Sequence, residues 1–217
     1  VISAPTRRYD YVTAPAEIYR RSFATIRAEA ELSKLPAEMR PVAVRMIHAS
    51  GDVKLVDDLA FHPRLVSAAR TALAAGAMVF TDTQMLAAGV TRRRLPADNE
   101  VLCLLDEPRA SELAAHWGTT RSAAAVSLWV DRLSGAVVAI GNAPTALFHL
   151  LELIADGAPH PAAIIGVPVG FVGSAESKIA LAENRWDIPW LVAHGRRGGS
   201  ALCAAAINAL AREAEIS

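Results

Sequence analysis

The chain has 217 residues, 53% of them hydrophobic and 20% charged, with 22 basic residues against 22 acidic ones. Length and apolar fraction exclude a disordered chain and allow a core of ordinary globular size. The zero net charge argues against a dedicated nucleic-acid surface. No apolar run reaches the roughly 18 residues of a membrane span. The start, with Arg8, Tyr9 and Asp10, lacks a signal-peptide core. The two cysteines, Cys103 and Cys203, lie in apolar stretches without CxxC spacing. They read as buried thiols of a cytoplasmic, reducing compartment.

Residues 1–14 read as an irregular arm. Ala14-Pro15-Ala16-Glu17 opens a helix, because proline is tolerated in a first turn, and Ile18, Phe23 and Ile26 carry it to about Leu32. A second helix is expected over Pro36–Ala49, a turn over Asp57–Pro63 and a third helix from Pro63 to Ala75. Short continuous apolar runs follow at 77–81, 101–105, 136–140, 162–167 and 190–193. Such runs are strands covered on both faces, hence a parallel sheet. Helical stretches at 109–116, 121–133, 143–156 and 174–184 alternate with them, and an alanine-rich helix over Ser200–Glu215 closes the chain. The pattern predicts one α/β domain over 1–217. It is a three-layer sandwich with a mainly parallel five-stranded sheet, and the helices of about 15–75 pack on the sheet of 77–217.

The most informative stretch is Arg45-Met46-Ile47-His48-Ala49-Ser50-Gly51-Asp52. Arg45 and His48 are three residues apart and share a helical face. Gly51 suits a helix stop, which puts His48 in the last turn, where the helix dipole favours a protonated imidazole. A histidine near its switch point beside an arginine suits proton transfer to an anionic substrate. A histidine that only caps carbonyls is the plainer alternative. At the carboxyl ends of the strands, where open α/β sheets bind ligands, lie 81–85, 141–145, 168–174 and 195–200. Three of these loops carry glycine and all lead into helix starts, which attract anions. Lys178, Arg196 and Arg197 add positive charge, and Arg121 stands at a helix entry where an anionic partner would explain it. The implied ligand is large, with acidic groups around its edge. Arg92-Arg93-Arg94 reads as a solvated charge run. His62, His116, His149, His160 and His194 have no metal-ligand spacing and read as structural. No P-loop, GxGxxG or GxSxG motif is present, and neither cysteine sits in a nucleophile setting.

Ser22-Phe23, Arg45–Asp52, Gly141-Asn142-Ala143-Pro144-Thr145-Ala146-Leu147, Pro168–Lys178 and Gly195–Ser200, taken in order, closely resemble the precorrin-8X methylmutases. The resemblance covers essentially the whole chain. It implies a flavodoxin-like α/β fold and an isomerase of cobalamin biosynthesis. That enzyme moves a methyl group from C-11 to C-12 of precorrin-8X to give hydrogenobyrinic acid, with no cofactor or metal. It also implies that His48 is the catalytic proton donor and acceptor, that Ser22 and Arg45 touch substrate, and that Arg121 lies near it. A homodimer with sites at the subunit interface follows from the same likeness. Lys178 and Arg196 join the expected grip on the substrate carboxylates. Two other functions suit the same features. One is a non-catalytic corrinoid carrier, a role close to product channelling to the next pathway enzyme. The other is a flavin- or nucleotide-binding protein of the same fold, against which the missing phosphate fingerprint counts.

Overall fold

The apolar runs become the middle of a sheet. The computed structural model describes residues 2–6 and 8–212. Six strands are present among them: β1 (Leu59–Phe61), β2 (Val79–Thr81), β3 (Val101–Leu102), β4 (Val137–Ile140), β5 (Ala163–Gly166) and β6 (Trp190–Ala193). They lie in the order β1-β6-β5-β4-β2-β3, with β1 antiparallel to β6 and every other pair parallel. The sheet is therefore six-stranded and mostly parallel, not five-stranded. The added strand, Leu59-Ala60-Phe61, falls where a turn was expected. It is too short to show a period, and its pairing with β6 joins distant parts of the chain.

The helices are α1 (Pro15–Glu29), α2 (Arg40–Ser50), α3 (Leu65–Ala74), α4 (Gln84–Gly89), α5 (Pro108–Trp117), α6 (Arg121–Ser127), α7 (Pro144–Ala155), α8 (Ser174–Ala182) and α9 (Ser200–Ala211). They form two layers. On one face, Val42, Met46, Leu65, Leu73, Cys203 and Ile207 of α2, α3 and α9 pack on Val79, Val137 and Ile165. On the other, Val126, Leu147, Leu150 and Leu181 of α6, α7 and α8 pack on Phe80, Val138 and Ile164. β4 and β5 are buried throughout, as covering on both faces requires. No helix among the described residues is long and apolar enough to cross a membrane.

Some boundaries move. The second helix begins at Arg40, because Pro36–Met39 forms a separate turn closed by Met39 N–H to the Pro36 carbonyl at 3.0 Å. The expected helix over 121–133 stops at Ser127 and continues as a 3-10 turn over Val130–Arg132. The last helix ends at Ala211, and its expected extension to Glu215 falls outside the described residues. Arg94 corrects the solvated-run reading: only 3% exposed, it sends Nε to the Asn208 carbonyl and Nη2 to the Arg212 carbonyl at 2.9 and 2.8 Å. It caps the C-terminal end of α9, where a cation meets the negative end of the dipole. Burial, with Arg45 adding a smaller push, lowers its pKa to about 10. Cys203 is buried, but Cys103 is only half-buried, against the expectation for both.

The strand order reverses between β2 and β4, the switch point where doubly wound sheets open a crevice. A carboxylate of the chain itself fills it. Asp82, 3% exposed, accepts hydrogen bonds from the backbone N–H groups of Gly141, Asn142 and Ala143 at 3.1, 2.8 and 2.8 Å. Burial raises its pKa while those three amides oppose the rise. In Asp82→Asn an NH2 group would face amides that need an acceptor. That substitution is expected to cost about 1–3 kcal/mol of stability, read by denaturant unfolding. An unchanged midpoint would show that the crevice does not need the carboxylate.

Candidate active site

α1 packs against α2, and their contact sets Ser22 beside His48. Phe23 and Ile26 bury the inner stripe of α1. α2 stops at Gly51, whose φ of 68° takes the left-handed conformation and whose N–H bonds to the Ile47 carbonyl at 2.8 Å. His48 therefore stands in the last turn, half-buried, as expected. Ser22 Oγ is 2.8 Å from His48 Nδ1. Phe23 meets the imidazole edge-on, with centroids 5.2 Å apart, and Tyr19 lies tilted at 5.4 Å. The Arg45 guanidinium sits 5.8 Å from the Phe23 ring centroid. Ser22, Arg45 and His48 thus form one cluster.

Opposing influences act on its charge. The helix dipole favours an imidazolium, but burial pushes the His48 pKa below its usual value, and Arg45 pushes it further down. The ring lies against Phe23 and Tyr19, which limits the water around its charged form. Burial and Arg45 both favour the neutral imidazole in the free protein. The Ser22 hydroxyl can donate to Nδ1 in that state and accept from it once the ring is charged.

A second cluster lies at the carboxyl edge of the sheet. Lys178 is fully buried, and its Nζ donates to the Arg197 carbonyl at 2.7 Å. Burial lowers its pKa to about 8 against a weaker pull from Asp58. Its ammonium braces the 195–200 loop from beneath and is not displayed to solvent. Arg197 joins Asp52 and Asp58, each at 3.0 Å. Arg196 is exposed and lies 5.0 Å over the Phe171 ring. Gly198 is fixed by space: a Cβ there would come within 2.2 Å of the Val167 carbonyl oxygen. Ser174 Oγ donates to the Pro168 carbonyl at 2.8 Å, and Thr83 Oγ1 meets Ser200 Oγ at 3.0 Å. A cavity of about 200 Å³ opens here between Ser50, Asp52, Val169, Arg197 and Gly198. Asp52, which pairs with Arg197, lies four residues after His48, past the end of α2.

Arg121 stands apart. It is exposed at the first position of α6, whose cap Thr120 bonds Thr145 Oγ1 at 2.8 Å. That helix belongs to the layer opposite α2, so the protomer does not bring Arg121 to His48. His62 pairs with Asp187 at 3.1 Å, and His149 bonds Ser127 Oγ at 2.7 Å. No cluster among the described residues could hold a metal ion. A cavity of about 610 Å³ at the amino edge of the sheet, beside Arg64, Ala77, Gly135 and Ala162, brings in no histidine or carboxylate. Sequence reasoning did not single out Tyr19 or Asp82. Tyr19 carries a signal in its three-residue spacing to Ser22. Asp82 carries none, because its partners are backbone amides about 60 residues away.

Known proteins resemble this chain over most of its length. The family model for precorrin-8X methylmutase matches residues 17–213. The chain belongs to the precorrin-8X methylmutase family. A precorrin-8X methylmutase from Sinorhizobium is 60% identical over 94% of this chain and 97% of its own. One from Pseudomonas aeruginosa is 56% identical over 95% of this chain and 99% of its own. A cobalt-precorrin-8 methylmutase from Priestia megaterium is 36% identical over 90% of this chain and 87% of its own. A solved structure of the precorrin-8X methyl mutase from Thermus thermophilus superposes with a TM-score of 0.83 at 39% identity, covering 93% of this chain and 98% of that one.

Neutral His48 has a definite stability consequence. Its folded pKa lies below that of the unfolded chain, so its contribution is complete above about pH 6.5 and is lost as pH falls through the folded value. NMR titration of the free protein is expected to place the His48 ring below 6.5, and Arg45→Met is expected to move it upward. A His48 that titrates at or above the ordinary histidine value would contradict this electrostatic reading.

Proposed function

We propose that His48 is the acid–base group of the family's methyl migration, carried by its placement between Ser22, Arg45 and two aromatic rings. The reaction is an isomerisation. A methyl group leaves C-11 of precorrin-8X and bonds to C-12, giving hydrogenobyrinic acid, with no net gain or loss of a proton. Protonating the conjugated ring makes it electron-poor and eases migration of the methyl with its bonding pair. His48 gives that proton and takes one back once the methyl has moved.

The neutral imidazole of the free protein must first be charged. The substrate's carboxylates supply the means. Pairing with Arg45 cancels the smaller of the two effects that lower the His48 pKa, and a nearby negative charge offsets the larger one, burial, by favouring the imidazolium. Ser22 then accepts from Nδ1–H and turns the Nε2 edge outward. A positioned acid of this kind contributes about 10²–10⁴ in rate. Orientation and fixed dipoles in the pocket supply the remainder.

Further parts of the reading rest on similarity and surface character. The relatives named for the metal-free substrate are 60% and 56% identical, against 36% for one named for the cobalt form, which favours the metal-free substrate here. A homodimer is favoured by Phe171 and Val172, 84% and 88% exposed, which a second copy would cover. Such an interface would also allow Arg121 of one protomer to reach the site of the other. Arg196, exposed on the same loop edge, would grip a substrate carboxylate, while Lys178 supports its loop from within. The order β3-β2-β4-β5-β6 of the parallel strands is that of flavodoxin-like sheets. One α/β domain over the chain, and a cytoplasmic setting for its two free thiols, complete the reading.

The test is conversion of precorrin-8X, followed by ring absorption. Intact protein is expected to rearrange it. His48→Ala is expected to lose at least about 10² in rate while binding hydrogenobyrinic acid within a few-fold of the intact protein. Turnover at the intact rate would remove His48 from the chemistry. Binding without conversion by either protein would make the chain a corrinoid carrier.

A further inference from the structure

The stripe that binds α1 to α2 reaches an exposed ring beside the last turn of α2. Tyr19, Phe23 and Ile26 lie four and three residues apart on one face of α1. Phe23 and Ile26 are buried against the core, whereas Tyr19 is 42% exposed. Tyr19 lies beside His48 in the last turn of α2, which ends at Ser50. The ring is not an isolated surface residue. Its centroid is 5.4 Å from the His48 imidazole and 5.9 Å from Phe23. Ser22 comes off the same face, and Arg45 lies across from it over Phe23. An exposed aromatic face, an imidazole and a guanidinium therefore border one open surface.

We propose that Tyr19 is a substrate-contacting residue, whose exposed ring forms the apolar seat for the conjugated macrocycle beside His48. The inference rests on the functional reading above and deepens it. A flat, electron-rich ring system with acidic side chains needs two things of a binding surface: an aromatic face for its plane and cations for its rim. Tyr19 supplies the first, Arg45 the second, and His48 stands between them. Ile18, also exposed and on the Ser22 side of the stripe, extends the apolar seat.

The experiment is a titration of hydrogenobyrinic acid, with KM and kcat for precorrin-8X, on intact protein, Tyr19→Ala and Tyr19→Phe. Tyr19→Ala is expected to weaken product binding and raise KM about tenfold, the scale of one aromatic stacking contact, with kcat within a few-fold. Tyr19→Phe, which keeps the ring, is expected to recover most of that loss. Thermal unfolding and size-exclusion profiles are expected to match the intact protein. Unchanged affinity in Tyr19→Ala overturns the proposal. A loss confined to kcat also does so, since it would make Tyr19 a modulator of His48. A loss that accompanies a change of oligomeric state does the same. If the intact protein neither binds nor converts the corrinoid, the functional reading falls and takes this proposal with it. Conversion by intact protein with an indifferent Tyr19→Ala removes this proposal alone.

Discussion

The hydrogen bond between Ser22 Oγ and His48 Nδ1, 2.8 Å long and half-buried, is the interaction on which the rest of the site depends. Three features lock it in place. Phe23 and Ile26 fix the rotation of α1 by burying its inner face. Gly51 ends α2 one turn after the histidine and so sets the depth of the ring. Phe23 closes on the imidazole edge-on and leaves little freedom to rotate. The result is an imidazole whose orientation is set before any ligand arrives, as the proposed acid–base role requires.

The carboxyl edge of the sheet shows the same economy. Each loop there is tied to a neighbour by polar groups from elsewhere in the chain. Asp82 holds the amides of 141–143, Lys178 holds the Arg197 carbonyl, Ser174 holds Pro168, and Arg197 spans Asp52 and Asp58. Two charges that look like ligand-binding groups in the sequence, Lys178 and Arg197, are spent mainly on the protein's own architecture. The Asp82 carboxylate occupies the amide cluster at the start of α7, where a nucleotide-binding sheet of this order would receive a phosphate. The edge therefore suits a large ligand held at its rim rather than a phosphate seated in the crevice.

Much of this was legible in the residues, and the failures have physical causes. Continuous apolar runs located the five parallel strands because burial on both faces leaves no alternation to misread. Gly51 located the end of α2, and the spacing of Arg45 and His48 placed both on the face that meets α1. β1 escaped because three residues carry no period and its partner lies far along the chain. Lys178 and Arg94 escaped because long cations are normally solvated, and nothing local announces that a carbonyl at 197 or 208 will receive them. The effect of burial on His48 was not legible, because the dipole is a local property of a helix, whereas the rings of Tyr19 and Phe23 come from α1, outside the local sequence around His48. Tyr19 shows its place beside His48 only once α1 is set against α2.

The central claim is that the free protein keeps His48 neutral and that the anionic corrinoid itself charges it. The most direct test is the NMR titration of the His48 ring in protein saturated with hydrogenobyrinic acid, set against the free protein. The account predicts a pKa raised on binding, because the ligand's carboxylates neutralise Arg45 and lie near the imidazole. An unchanged or lower pKa in the complex would contradict it, since the ring would then stay neutral at the moment it must give up a proton.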